Sequence, residues 1–260
     1  MAWIDTHCHL AEEEFDHDRL EVIQRALDAN VKTIVLIGVG IQGAKKALAL
    51  AETNTMFHVA LGFHPEEVHS ITEQDWMEME RYLTHPKVIA VGEIGLDYYW
   101  DKDSETHQKQ ELLFIRQIEL ANKLNKPIII HSRDALQRTY DLLKTHPVKR
   151  CGIMHCYSGS QEMAHEFTKL GYYISLAGPV TFKNAHTPKE VAQSVDLNHL
   201  FIETDAPYLS PVPHRGERNE SAYVVETAAV ISHLRGISMD ELMKALSQNF
   251  SRLFPETLEK

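Results

Sequence analysis

The sequence predicts a single (β/α)8 barrel that spans residues 1–260. Apolar, β-branched runs alternate with amphipathic stretches, and eight strand patterns in 260 residues give one strand–helix unit about every 32 residues. No linker rich in proline, glycine or serine divides the chain. A barrel of this kind usually has ~250 residues. The alternative is an open doubly wound sheet, which would place a site at one switch point between strands.

The eight predicted strands are short and rich in apolar and β-branched residues. They cover residues 3–5, 33–37, 58–62, 88–93, 127–131, 152–155, 172–176 and 200–204. Helical patterns lie between most of them. The last stretch, residues 221–253, predicts two helices that are broken at Gly236, because glycine commonly ends a helix.

Apolar spacing locates the other helices. Leu20, Ile23 and Leu27 follow helical spacing, and we expect this helix to end near Asn30. The longest helix is expected over residues 108–124. Four apolar side chains are available to its core face: Leu112, Ile115, Ile118 and Leu120.

Composition narrows the class of protein. A net charge of −11 opposes tight binding of duplex nucleic acid, although bound metal ions can make a site locally positive. No apolar run is long enough for a transmembrane helix, and the first residues do not resemble a signal peptide. Three cysteines form a sparse, odd set. We therefore expect a cytoplasmic protein without a membrane partner, and by default a monomer.

The predicted strands end in side chains that bind metals. His, Asp and Glu make up about a fifth of the chain, so about one or two of eight strand ends would carry one by chance. Six carry one here. Because active sites of barrels lie at the carboxyl ends of the strands, this pattern favours a site there.

His7 and His9 follow strand 1. Residues i and i+2 of a strand face the same side, so both imidazoles would point into the mouth of the barrel and could chelate one ion. A pair of histidines at the surface is the other interpretation. With sixteen histidines in the chain, a His-x-His pair is also expected about once by chance.

Four further residues complete the candidate site. Glu93 follows an apolar run and could bridge two metals, or it could be a solvated acid. His131 and His155 end strands 5 and 6 and suit a second metal, or they are core histidines. Asp205 ends strand 8 and could bind metal and accept a proton from water, or it could cap the following turn. Imidazole-rich ligands suit zinc, manganese, iron or nickel better than magnesium.

A phosphate substrate would suit the other polar groups near the same rim. Arg133 shares a strand face with His131 and could bind a phosphate through two hydrogen bonds. His64 could contact phosphate or act as an acid. Arg215 and Arg218 flank the loop after strand 8, and all of these groups could equally be solvated surface residues.

These segments together resemble the signatures of the TatD family of metal-dependent deoxyribonucleases. Six blocks match in order, from residue 5 to the C-terminal helices. They are Asp5-Thr6-His7-Cys8-His9-Leu10, Gly62-Phe63-His64-Pro65, Val91-Gly92-Glu93-Ile94-Gly95-Leu96-Asp97, His131-Ser132-Arg133, His155-Cys156-Tyr157-Ser158-Gly159 and Glu203-Thr204-Asp205-Ala206-Pro207. One departure is Ser221, where many members have proline.

The resemblance implies a barrel with two divalent metal ions, Mg²⁺, Mn²⁺ or Zn²⁺. It implies that one ion is held by His7, His9, Glu93 and Asp205, and the other by Glu93, His131 and His155, with Glu93 as the bridge. It also implies that His64 and Arg133 lie beside the substrate phosphate.

The implied activity is that of a deoxyribonuclease, often a 3′-to-5′ exonuclease, that hydrolyses phosphodiester bonds with a water activated by two metals. Asp205 would be the general base. The expected partner is a single-stranded or frayed DNA end. Two alternatives stay open. One is a metal-dependent hydrolase of a small phosphoester, ester or amide; the other is a metal-stabilised scaffold that binds a partner.

Overall fold

A computed structural model describes residues 1–100 and 102–257, and its strands form one eight-stranded sheet. Each strand pairs in parallel with the next one along the chain. The strands are β1 (Trp3–Cys8), β2 (Val31–Val39), β3 (Phe57–Gly62), β4 (Val88–Asp97), β5 (Ile128–Arg133), β6 (Gly152–Met154), β7 (Tyr173–Leu176) and β8 (Leu200–Ile202). This order confirms the predicted (β/α)8 barrel. The doubly wound alternative is wrong, since its strand order would reverse at a switch point.

The barrel closes between β1 and the segment that follows β8. Cys8 forms a parallel bridge with Ala206, and the backbone N–H of His9 donates to the carbonyl of Ala206 at 2.8 Å. The backbone N–H of Asp205 donates to the carbonyl of His7 at 2.9 Å. Closure of the barrel therefore brings three candidate ligands from the two ends of the chain together.

Nine α-helices are found in the described residues, and most follow a strand. They are α1 (Arg19–Asp28), α2 (Gly40–Ala51), α3 (Glu73–Leu83), α4 (Ser104–Leu124), α5 (Leu136–Thr145), α6 (Gln161–Lys169), α7 (His186–Ser194), α8 (Val224–Arg235) and α9 (Met239–Leu253). Gly236 ends α8 with a φ of 64°, a left-handed conformation that glycine adopts without strain. The predicted helices near residues 20–30, 108–124 and 221–253 are thus confirmed.

The core face of α4 differs in part from the prediction. Ile118 and Leu120 are buried, but Leu112 is 67% exposed. The buried face of α4 also contains two glutamines, Gln110 and Gln117. Gln117 accepts from the backbone N–H of Phe63 at 2.8 Å and donates to its carbonyl at 3.0 Å. Buried amides are stable only with such partners, and a search for apolar periodicity does not find them.

β4 extends past the predicted end at Glu93. Its pairing with β5 is interrupted between Val91 and Ile94 and then resumes as far as Asp97 opposite Arg133. Such an irregularity can re-aim a side chain, and Glu93 lies inside it. Conversely, β6 and β8 end before His155 and Asp205, which lie in the segments that follow.

Across the described ranges, no helix combines the length and the apolar content that a membrane crossing requires.

Candidate active site

Glu93 lies at the centre of the candidate site and turns its two carboxylate oxygens to two different groups of histidines. Its Oε2 lies 3.3 Å from His7 Nε2 and 3.7 Å from His9 Nε2. Its Oε1 lies 2.9 Å from His131 Nδ1 and 2.9 Å from His155 Nε2. One carboxylate can therefore serve two ligand groups at once, which is the arrangement expected of a bridge.

Asp205 completes the group that contains His7 and His9. Its Oδ1 lies 3.5 Å from the Nε2 atom of each of these histidines. The residue has a φ of 57°, a left-handed conformation that aspartate tolerates better than most side chains. The structure thus brings together all six residues predicted as metal ligands.

The donor set fits divalent cations. His7 Nε2 and His9 Nε2 lie 3.2 Å apart, and His131 Nδ1 and His155 Nε2 lie 3.3 Å apart. The Nδ1 atom of His7 is buried and has no hydrogen-bond partner. Among the residues described, three groups can hold a metal ion, and Glu93 belongs to two of them. Converging imidazole and carboxylate lone pairs are the ligands that transition metals prefer.

Charges within this cluster shift the pKa values of its members. Burial alone would raise the pKa of Glu93, but the charges of His155 and His7 outweigh burial and hold this pKa well below its usual value. Burial opposes protonation of His155, yet the charges of Glu93 and Glu203 raise its pKa well above the usual value. The neighbouring histidines therefore stabilise the ionised carboxylate of Glu93.

His64 lies beside the same cluster, but its pKa shifts in the opposite direction from that of His155. Its Nε2 is 3.6 Å from Glu93 Oε1, and its ring is 4.5 Å from that of His131. Burial lowers the pKa of His64 to about 4, despite the opposing charge of Glu93. His64 is thus a neutral imidazole at pH 7. It can contact a phosphate by hydrogen bonding and not as a cation.

Two buried carboxylates that the sequence analysis did not select orient the histidines. Asp97 Oδ2 lies 2.9 Å from His131 Nε2. Glu203 Oε1 lies 3.2 Å from His155 Nδ1 and also accepts from the backbone N–H of Cys156 at 2.7 Å. Each carboxylate engages one ring nitrogen and leaves the other facing Glu93. Both residues lie in the strand-end motifs, close in sequence to Glu93 and Asp205. A second carboxylate near a predicted metal ligand is therefore the sequence feature that could have identified them.

Glu203→Gln is expected to weaken metal binding or activity by about 10- to 100-fold, because an amide orients the imidazole of His155 less strongly than a carboxylate. Metal affinity would be measured by competition with a chromophoric chelator. Glu119→Gln is the matched control, since Glu119 is exposed on α4. Unchanged affinity in Glu203→Gln, with normal circular dichroism, would contradict this role.

Arg133 lines the same cavity, whose volume is about 880 Å³. Its guanidinium carbon lies 3.8 Å from the ring centre of Tyr99. Within the described chain, Arg133 is the only lysine or arginine that lines this cavity. Arg218 instead donates to the carbonyl of Glu14 and to Asp18 Oδ2 at 2.6 Å. It therefore holds neighbouring loops together and does not line the cavity among the described residues.

The segment that contains Ser221 is held in place by side-chain hydrogen bonds. The side-chain amide of Asn219 donates to the carbonyls of Thr204 and Tyr208 at 2.8 and 2.6 Å. The hydroxyl of Ser221 donates to the sulfur of Cys8 at 3.3 Å. Serine at this position therefore ties the segment to the strand that carries His7.

Known proteins resemble this chain over nearly all of its length. The family model described as "TatD related DNase" matches residues 4–255. An uncharacterized metal-dependent hydrolase of Bacillus subtilis, YabD, is 42% identical over 96% of this chain and 98% of its own length. YcfH of Escherichia coli, also described as an uncharacterized metal-dependent hydrolase, is 35% identical over 98% and 96%.

Solved structures agree with the sequence comparison. The TatD homologue YjjV of Escherichia coli matches with a TM-score of 0.92 and 33% identity, over 97% of this chain and 98% of its own. A TatD family hydrolase of Entamoeba histolytica has the same fold, with a TM-score of 0.85 at 21% identity over 98% of both chains. From the six predicted blocks, the barrel and these matches, we conclude that the chain belongs to the TatD family of metal-dependent hydrolases.

Proposed function

We propose that this hydrolase is a deoxyribonuclease that removes nucleotides from DNA ends in the 3′-to-5′ direction. The observation that carries the proposal is the split of the Glu93 oxygens between two histidine groups, in a cavity that also contains Arg133. A site for two metal ions suits phosphodiester hydrolysis, in which the oxygen of water replaces the leaving oxygen on phosphorus. The description of the matching family as a DNase supports the choice of DNA.

The cluster would hold two divalent ions, Mg²⁺, Mn²⁺ or Zn²⁺. His7, His9 and Asp205 would hold one, His131 and His155 the other, and Glu93 would contact both. When bound, the ions would lower the pKa of water and stabilise negative charge on the phosphoryl oxygens. This assignment of ligands rests on which Glu93 oxygen each histidine approaches and on the short distances from Asp205 to His7 and His9.

The remaining steps belong to side chains of this chain. Arg133 binds the phosphate through its guanidinium group, and neutral His64 donates a hydrogen bond to it. Asp205 accepts the proton of the attacking water, because its carboxylate lines the cavity. Water adds to phosphorus, the bond from phosphorus to the 3′ oxygen breaks, and that oxygen takes up a proton from solvent, to which Asp205 returns the proton that it accepted. The products are a 5′-mononucleotide and a strand shorter by one nucleotide.

The substrate is a single-stranded or frayed end, since a net charge of −11 disfavours a long duplex. We place the enzyme in the cytoplasm as a monomer. The three cysteines are all unpaired, as is usual in a reducing compartment.

A small phosphoester is the second candidate substrate, and one observation favours it. Three glutamates, Glu12, Glu14 and Glu66, line the cavity together with Arg133, which is the one lysine or arginine found there among the residues that the structure describes. This balance of charge suits a substrate with one phosphate better than a strand with many.

The test uses untagged protein, because a histidine tag would add metal sites. Single-stranded DNA labelled at its 3′ or 5′ end is incubated with Mg²⁺, Mn²⁺ or Zn²⁺. We expect early loss of the 3′ label and a ladder of shortened 5′-labelled strands. Absence of cleavage with every metal, together with turnover of a small phosphoester, would replace the nuclease by the second candidate.

A further inference from the structure

Exposed aromatic side chains gather at the mouth of the cavity. In the described parts of the chain, Tyr99, Trp100 and Tyr208 are the aromatic residues left exposed, at 42%, 62% and 53%. Trp100 and Tyr208 line the cavity, and Tyr99 contacts Arg133, which also lines it. Exposed aromatic rings lose hydrophobic stabilisation, so their concentration beside one cavity calls for a ligand that covers them.

The rings lie on two sides of the candidate metal site. Tyr99 and Trp100 follow β4, whereas Tyr208 follows β8, and these strands are half a barrel apart in the sheet order. The ring of Tyr208 lies 6.0 Å from that of His9. A ligand that occupies the cavity can therefore contact aromatic surfaces on two sides.

Arg133 connects the β4 side to the site. Its guanidinium carbon lies 3.8 Å from the Tyr99 ring centre and 5.3 Å from that of Trp100. The two rings meet nearly at right angles, with centres 4.8 Å apart. A cation held over aromatic faces is pre-organised, so it can contact a phosphate while the neighbouring indole contacts the attached base.

The charge of the mouth decides what the aromatic rings bind. Proteins that follow a nucleic-acid backbone do so with a row of basic side chains. Here Arg133 is the one lysine or arginine lining the cavity in the described chain, and Glu12, Glu14 and Glu66 line it as well. Additional phosphates would be repelled, so most of the affinity for a strand must come from its bases.

We propose that Trp100 and Tyr208 are base-stacking residues for the last nucleotides of a single strand, with Trp100 against the 3′-terminal base, and that the site contacts few phosphates beyond the scissile one. This inference rests on the proposed nuclease function and names the part of the substrate that is recognised. A cavity of about 880 Å³ lies within the range of roughly 300–1,000 Å³ typical of small-ligand sites, which suits a strand end.

The kinetic test compares a trinucleotide that carries all its bases with one that lacks the 3′-terminal base. Trp100→Ala should lower kcat/KM for the complete trinucleotide by about 5- to 150-fold, and Trp100→Phe should lower it much less, because a phenyl ring still stacks. The variants should be equal to wild type on the substrate without the base. Leu112→Ala, an exposed apolar residue of α4, is the control.

Chain length and salt give a second kinetic readout. A trinucleotide and a long oligonucleotide should have similar kcat/KM values, and doubling the salt should change them by less than about threefold, as expected for one or two phosphate contacts. Much better binding of the long strand would overturn the proposal. Equal losses in Trp100→Ala with and without the terminal base would also overturn it.

Fluorescence separates this proposal from the nuclease function. Trp3 and Trp76 are buried, at 5% and 6% exposure, so Trp100 is the tryptophan available to a ligand. We would titrate metal-loaded protein with a trinucleotide whose terminal linkage is a phosphorothioate. Quenching in wild type but not in Trp100→Phe supports stacking, even if no DNA is cleaved. Cleavage without quenching overturns stacking alone. If there is neither cleavage nor quenching, both proposals are overturned.

Discussion

Glu93→Gln is expected to lower hydrolysis by about 10²- to 10³-fold and to reduce the metal content of the protein. Glutamine keeps the shape of the side chain but replaces one oxygen by an NH₂ group and removes the negative charge. One of the two histidine groups would then face a donor instead of an acceptor. Because Glu93 contacts both groups, its loss should affect both metal positions and not one.

The measurement combines turnover with metal analysis of dialysed protein by mass spectrometry. Glu119→Gln makes the same chemical change at an exposed position of α4 and should retain full metal content and activity. Circular dichroism would show whether each variant is folded. If Glu93→Gln bound the same amount of metal as wild type and turned over at the same rate, the bridging role would be excluded.

Asp205→Asn is expected to lower kcat by about 10²- to 10⁴-fold, even when metal is saturating. Asparagine keeps one oxygen that can bind a metal, but it cannot accept the proton of the attacking water. The closing hydrogen bond from the Asp205 backbone to His7 is made by the main chain and is unaffected by the substitution. The defect should therefore be chemical and not structural.

Excess metal distinguishes the two roles that Asp205 can have. His9→Asn removes a ligand without removing a proton acceptor, so added metal should restore part of its activity. Added metal should not restore Asp205→Asn. Recovery of Asp205→Asn to wild-type kcat at high metal would show that Asp205 is a ligand only, and the proton would then need another acceptor.

Three buried carboxylates outside the predicted ligand set help to hold the metal-binding side chains in place. Asp97 and Glu203 each face one histidine, and Asp5 accepts from the backbone and the hydroxyl of Thr204 at 2.9 and 2.7 Å. Burial raises the pKa of Asp5 to about 7, although hydrogen bonds from Thr204 oppose the shift. These contacts join β1 to the segment after β8, so orientation of the ligands depends on closure of the whole sheet.

The helix that follows β4, α4, shows that apolar spacing predicts the presence of a helix better than it predicts which of its side chains are buried. The spacing of residues 108–124 indicates a helix, and α4 is there, but Leu112 faces solvent while Gln110 and Gln117 face the sheet. Gln110 accepts from the backbone N–H of Asp97 at 3.0 Å. The oxygen of Gln110 is thus bonded to a strand end, whereas its Nε2 atom is buried without a hydrogen-bond partner. One chain segment read alone does not reveal the partner of that oxygen.

The sequence by itself determined the alternation of strands and helices, and it placed His7, His9, His131, His155 and Asp205 at or beside strand ends. It could do so because the strand and helix periods are local properties and parallel strands of a barrel end at one face. Tertiary structure alone decided how these residues meet. The division of the Glu93 oxygens, the partners of the histidines, and the aromatic rings on opposite sides of the mouth all depend on distances across the barrel, which no local period encodes.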